Sequence, residues 1–209
     1  MDNLIEVPDL EFYSRPTLAV ARDLLGCKLW RRTADNQLVS AVIVETEAYT
    51  EDDPACHAYR GITERCRVLF GPPGRAYVYF IYGMYHCFNV VTEPDKTPGA
   101  VLVRALDMEG GNGPGKLCRT WNIDRSHNDI DLTDRDSMLF ISRHTDFSDS
   151  AVAVSTRIGL NVAADRLWRF YVDKHPYVSG KRHGQVIAAP ARSAKIKVAA
   201  GAAKSRKKS

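Results

Sequence analysis

The stretch AYVYFIYGMYHCFNVV, residues 76–91, constrains the fold more than any other part of the chain. Aromatic and β-branched side chains fill it, and these favour extended backbone. Gly83 interrupts it near the middle, so residues 76–82 and 85–91 read as two strands turning at that glycine. A lone hairpin is marginal in water, so further strands are needed. Residues 28–32 and 38–47 supply a second hairpin around the polar turn Thr33-Ala34-Asp35-Asn36. Residues 99–106 supply another strand after a polar loop over 93–98. Short connections of this kind join antiparallel neighbours.

Ser14-Arg15-Pro16-Thr17, followed by Leu18, Ala21, Leu24 and Leu25, predicts a capped amphipathic helix that Gly26 ends. Asn112-Gly113-Pro114-Gly115-Lys116-Leu117 predicts a second helix start, since proline is tolerated in the first turn. Residues 50–74, rich in charge and closed by Gly71-Pro72-Pro73-Gly74, predict a loop. Residues 148–160 fit either regular structure, and 167–172 predict a final strand. From Ala188 onward no core-forming pattern survives. The expectation is an α/β (α+β) fold. One mixed domain, residues 1–187, has a curved, mostly antiparallel sheet surrounded by helices and a protruding β-hairpin. A disordered basic tail follows over 188–209.

Charge sharpens this division. Of 29 lysines and arginines, seven lie in the tail (Arg192, Lys195, Lys197, Lys204, Arg206, Lys207 and Lys208), leaving 22 against 25 acidic residues. Any positive surface on the body must then come from local arrangement. No apolar run approaches the roughly 20 residues needed to cross a bilayer, which argues against a membrane partner. The five cysteines (27, 56, 66, 87 and 118) are odd in number and form no C-x-x-C pair. With no signal-peptide pattern, free thiols in a reducing cytoplasm are expected. Cys56-His57 and His86-Cys87 are adjacent pairs that match no zinc-ligand spacing, so neither a metal nor a cofactor is expected.

Four features remain as candidate chemistry. In Val44-Glu45-Thr46-Glu47-Ala48-Tyr49, alternation places Glu45, Glu47 and Tyr49 on one strand face. That face is either wet or one wall of a cleft. Tyr77 and Tyr79 share a face, and Tyr82 flanks the Gly83 turn; either they half-bury as strand aromatics, or one stacks a flat ligand and another projects as a wedge. Gly113-Pro114-Gly115-Lys116 is a helix start with an incomplete phosphate-loop spacing. Arg104 interrupts the apolar strand Val101-Leu102-Val103-Arg104-Ala105-Leu106, with Leu102 and Leu106 as its alternation neighbours. If inward-facing it needs a carboxylate partner such as Glu47; a solvent-facing arginine fits the spacing equally.

Taken together, VETEAY, the His57 that follows it, YVYFIYGMY, VLVRAL, NGPGKLC and RFYV occur in an order that closely resembles the alkyladenine (3-methyladenine) DNA glycosylase family of the mammalian type. The similarity runs from about residue 18 to 178, and the chain is more like a bacterial member. The resemblance implies a monofunctional enzyme that flips alkylated or deaminated purines out of duplex DNA and hydrolyses the N-glycosidic bond. Candidate bases are 3-methyladenine, 7-methylguanine, hypoxanthine and ethenoadenine. The resemblance also gives Glu47 the role of activating water, with Arg104 positioning it. Tyr49 and Tyr79 sandwich the base, His57 lies along its edge, Asn89 supports the site, Ile158 and Gly159 wall the pocket, and Tyr82 is the wedge. The partner is double-stranded DNA bearing damaged purines, bound by a monomer in the bacterial cytoplasm at the nucleoid, or in the nucleus of a eukaryote. Two rivals are a catalytically inactive damaged-DNA-binding module of the same fold and an N-glycosidase acting on free nucleosides.

Overall fold

The computed structural model describes residues 5–180. The predicted domain boundary at 187/188 and the basic tail lie outside them. Within this span the chain forms α1 (Leu10–Tyr13), α2 (Thr17–Asp23), β1 (Lys28–Arg32), β2 (Leu38–Tyr49), β3 (Ala76–Ile81), β4 (Tyr85–Thr92), β5 (Gly99–Leu106), α3 (Pro114–Thr120), β6 (Leu139–Ser142), β7 (Val152–Ser155) and β8 (Arg169–Val172). The sheet runs β3-β4-β5-β2-β1-β6, with β8 added to β2 and β7 to β8. Every pairing is antiparallel, as the short connections predict. The helices are few and short.

The long strand β2 organises the sheet. Its first half pairs with β1 and its second half with β5, while Glu45, Thr46 and Glu47 also pair with β8 on the opposite edge. Two facing irregularities interrupt the β2–β5 ladder: Ile43 lies opposite Leu106, Glu45 opposite Ala105 and Thr46 opposite Val103. Val44 is therefore the extra residue on β2, and Arg104 the extra one on β5. Such bulges shift the alternation of side chains along a strand.

Ala41 and Ile43 accordingly face the main core before the shift, and Ala48 after it, whereas Val44 packs in a separate cluster with Ala105 and Val172. On β5, Val101, Val103 and Leu106 enter the main core. This corrects the expectation that Leu102 and Leu106 flank Arg104 on one face. Only Leu102 does, because the bulge carries Leu106 through to the other side.

The main core joins one face of the sheet (Ala76, Val78, Phe88, Val90, Val101, Val103) to Ala21, Leu24 and Leu25 from α2 and its closing turn, and to Leu117 and Cys118 from α3. Alternation then sends Glu47, Tyr49, Tyr77, Tyr79, Cys87, Asn89, Leu102 and Arg104 to the opposite face. A strand period of two thus places apolar packing on one side and chemistry on the other.

One local reading changes, one stands and one ambiguity is resolved. Ser14 does not cap α2; it closes α1, which was not foreseen, and the Thr17 amide donates instead to the Glu93 carboxylate at 2.6 Å. Gly26 does end the turn after α2, in the left-handed region at φ +91°, where a Cβ would collide with the Thr145 carbonyl. Residues 148–160 resolve into a 3-10 turn over Asp149–Ala151 and then β7, and β6 joins the sheet beside β1.

Candidate active site

On the face opposite the core, a cleft of about 400 Å³ opens between Tyr49, Tyr79, Tyr82, Arg104, Lys116 and the Ile158–Leu160 segment. It continues into a recess of about 120 Å³ that shares Tyr49 and Tyr79 and adds His57, Tyr77 and Asn89. Eight of the nine predicted site residues, Tyr49, Tyr79, Tyr82, Arg104, Ile158, Gly159, His57 and Asn89, therefore gather around one continuous space.

Glu47 is the exception among them. It lies just behind that wall with no exposed surface. One carboxylate oxygen accepts from the Tyr49 hydroxyl at 2.9 Å and from an Arg104 terminal nitrogen at 3.3 Å. The other accepts from the Ile158 amide at 2.8 Å. Burial and the adjacent Glu47 charge hold the Tyr49 hydroxyl far above its ordinary pKa, so it keeps its proton and is the donor. Burial disfavours charge on Arg104, yet Glu47 and Glu45 more than offset it and raise the guanidinium pKa.

Glu45, to which the sequence assigns no role, is the most heavily bonded carboxylate of the site. It too is fully buried. Its Oε1 accepts from Arg104 Nε at 3.1 Å, Arg169 Nε at 2.6 Å and Ser179 Oγ at 3.0 Å, and its Oε2 from the Ser179 amide at 2.6 Å. A second buried pair, Asp53 with Arg157, closes the far side. Arg157 also donates to the Ala48 carbonyl at 2.8 Å, and its guanidinium lies 4.5 Å from the Tyr49 ring centre and 5.2 Å from that of Trp168. Because Arg157 precedes Ile158, this pair fixes the amide that bonds Glu47. Sequence reasoning missed Asp53, Arg157, Arg169 and Ser179. Arg169 alone left a signal, an arginine in an apolar strand like Arg104.

The rings of the recess are cross-braced. His57 Nδ1 lies 2.8 Å from the Tyr77 hydroxyl and its ring meets Tyr79 edge-on at 4.6 Å. Partial burial, and then the nearby Arg65 charge, push the imidazole pKa down to about 4. Arg65 itself sits 5.2 Å from the Tyr79 ring centre and lines a separate groove together with Tyr79. Asn89 donates to the Tyr77 carbonyl at 3.0 Å, tying β4 to β3 beneath the recess. Gly159 adopts φ +77° with open space around it, so its backbone conformation rather than crowding calls for glycine.

At the hairpin tip between β3 and β4, Tyr82 is 78% exposed, the most exposed large hydrophobic among the described residues. It holds φ +54° and Gly83 holds φ +67°. Consecutive positive φ values are those of a type I′ turn, which favours Asn-Gly over an aromatic. A bulky residue in that region is strained. Strain of this kind concentrates at functional positions.

Among the described residues no group of three His, Cys, Asp or Glu side chains could hold a metal ion, and no helix is long and apolar enough to cross a membrane.

A cleft walled by tyrosines, a shielded carboxylate and a projecting aromatic can be set against known proteins. The family profile described as methylpurine-DNA glycosylase matches residues 11–111 and 108–176. A protein of Carboxydothermus hydrogenoformans is 45% identical over 188 residues, covering 82% of this chain and 97% of its own. One of Sodalis glossinidius is 49% identical over 165 residues, covering 76% and 92%, and one of Trichodesmium erythraeum is 42% identical, covering 80% and 94%. All three are provisionally named 3-methyladenine DNA glycosylases. The chain belongs to the methylpurine-DNA glycosylase family, and is a DNA-repair hydrolase acting on N-glycosyl bonds.

Proposed function

We propose that this glycosylase flips alkylated or deaminated purines from duplex DNA into the cleft between Tyr49 and Tyr79, and that Glu47 activates the water that displaces them. The observation that carries this reading is the convergence of Tyr49, Arg104 and the Ile158 amide on one buried carboxylate at the cleft wall.

As the bond to the base lengthens, the sugar becomes positively charged. A fixed carboxylate beside it stabilises that charge and can accept a proton from water. Arg104 holds Glu47 in place from within the cleft. The Glu47 oxygen facing Tyr49 and Arg104 is shielded, so the attacking water must displace the Tyr49 hydroxyl to reach it. Ring alkylation leaves a purine cationic, and the electron-rich faces of Tyr49 and Tyr79 attract it by cation–π interaction. On these grounds 3-methyladenine and 7-methylguanine are the primary substrates, with hypoxanthine and ethenoadenine as a wider set. Tyr82 fills the gap left by the flipped nucleotide, offsetting part of the few kcal/mol lost on unstacking.

The product is an abasic site with the strand intact. A lyase would need a neutral, desolvated lysine amine. Lys116, which does line the cleft, is exposed and donates to Asn112 at 3.3 Å. The enzyme acts as a monomer at the bacterial nucleoid.

The test is a panel of defined duplexes, each with one modified purine, scored separately for free base and for strand cleavage before alkali. Release of alkylated purine without cleavage is expected. Tight binding with no release under excess enzyme would favour the inactive-module reading, and turnover of free nucleosides the small-molecule one.

A further inference from the structure

Glu45 and Glu47 compete for one guanidinium. Arg104 donates Nε to Glu45 at 3.1 Å, one terminal nitrogen to Glu47 at 3.3 Å and the other to Ser179 Oγ at 3.2 Å. Each nitrogen of the fork is committed to a different partner. A buried arginine beside a single carboxylate instead tends to form two parallel bonds to it. The Glu45 oxygens receive four hydrogen bonds, and Glu45 itself reaches no solvent. Arg169 is fixed as well, by Ser155 Oγ at 3.0 Å and the Ser179 carbonyl at 2.8 Å. Arg104 is the cation of this group that lines the cleft.

We propose that Glu45 is a positioning residue that withholds Arg104 from Glu47. By taking Nε, it turns the guanidinium so that Glu47 receives one long bond rather than a closed bidentate pair. The Glu47 oxygen shared with Tyr49 is then held by Arg104 through that single bond, so a water that displaces the Tyr49 hydroxyl can reach it. Ser179 tethers the third corner of the fork and, through its amide, holds Glu45 in place. Two carboxylates and two guanidiniums balance, so the cluster adds no net charge. Without Glu45, Arg104 would close on Glu47 and make it a poorer base. The inference rests on the reading of Glu47 given above.

A double-mutant cycle tests it, because residues that act through one another are non-additive. Single-turnover base release from an alkylated-purine duplex is measured with excess enzyme, alongside affinity for a duplex bearing an abasic-site analogue. Glu45→Gln is expected to slow release by about 10- to 100-fold with affinity held within about threefold. Arg104→Gln slows release too, and the double variant is expected to be no slower than Arg104→Gln, since no guanidinium remains to be withheld. Multiplying effects, or an unchanged rate in Glu45→Gln, would overturn the proposal.

Loss of Glu45 also strips Arg169 of a partner and can unfold the chain. Ser179→Ala keeps every charge and frees one corner of Arg104. It is expected to slow release by about three- to tenfold, and an unchanged rate there overturns the proposal as well. Glu47→Gln in the same assay separates the two levels. Undiminished release by that variant sinks the reading of Glu47, whereas its loss together with an additive cycle sinks the role of Glu45 alone.

Discussion

One neutral side chain and one charged one decide how the cleft treats charge. His57, with its pKa pushed down to about 4 by partial burial and Arg65, stays neutral through the physiological range. Because the folded value lies below the ordinary His value of about 6.5, folding binds fewer protons. Stability from this residue is present above about pH 6.5 and is lost as pH falls toward about 4. An imidazole titration by NMR should give a midpoint near 4, and His57→Gln should flatten the fall of stability between those limits. A midpoint near 6.5 would contradict this environment.

Arg65 acts on the same space from beside Tyr79, 5.2 Å from its ring centre. Its positive charge opposes a cationic base more than a neutral one. Arg65→Gln is expected to raise release of 7-methylguanine relative to hypoxanthine in one sequence context by about two- to threefold, as a charge screened by solvent allows. Arg65→Lys should keep the parental ratio. A ratio unchanged by the neutral variant would count against this role.

Two elements carry the site, and each stakes stability on it. The hairpin tip holds Tyr82 at positive φ, and Asn is better suited to that turn position. Tyr82→Asn should therefore stabilise the fold by up to about 1 kcal/mol while slowing base release from duplex. Thermal unfolding and single-turnover rates on the same variant check both signs, and a drop in stability would show that the turn is unstrained. The Asp53–Arg157 pair ties the loop after β2 to the segment after β7, with no exposed side-chain surface on either residue. Asp53→Asn leaves a buried guanidinium short of its counter-charge. It should cost about 3–5 kcal/mol, read as a lowered denaturant midpoint; a cost under about 1 kcal/mol would place the pair among ordinary surface bridges.

How far these elements are legible in sequence follows from the range of the interactions that form them. Tyr77 and Tyr79 announce a shared face by spacing alone, and the hairpin around Gly83 follows from local turn chemistry. The facing irregularities at Val44 and Arg104 leave no such mark, because no glycine, proline or turn residue accompanies them. The Glu93 cap on Thr17 and the Asp53–Arg157 pair join residues far apart in sequence, and nothing in the acidic loop distinguishes Asp53 from Asp52. Glu45 and Glu47 look alike by alternation. Only their partners on β5, β8 and the turn at Ser179 tell them apart.

At the scale of the whole molecule, one antiparallel sheet separates two tasks. The face toward α2 and α3 is filled by Val, Phe, Ala and Leu side chains. The opposite face, closed by the loop after β2, the start of α3 and the segment after β7, encloses the cleft. The body carries no excess positive charge, and on the proposed reading DNA is engaged through the rim of that cleft and the Tyr82 hairpin rather than through a generally basic surface. The predicted tail lies outside the described residues. Because the site face and the core face alternate along the same strands, conservative changes on one should leave the other standing. That independence makes the central claim testable by a single substitution that keeps shape and removes charge. In Glu47→Gln, single-turnover release of alkylated purine from duplex should fall by at least about 100-fold, with affinity for an abasic-analogue duplex within about threefold of the parent. Release at the parental rate by a folded, DNA-binding Glu47→Gln protein would contradict the account.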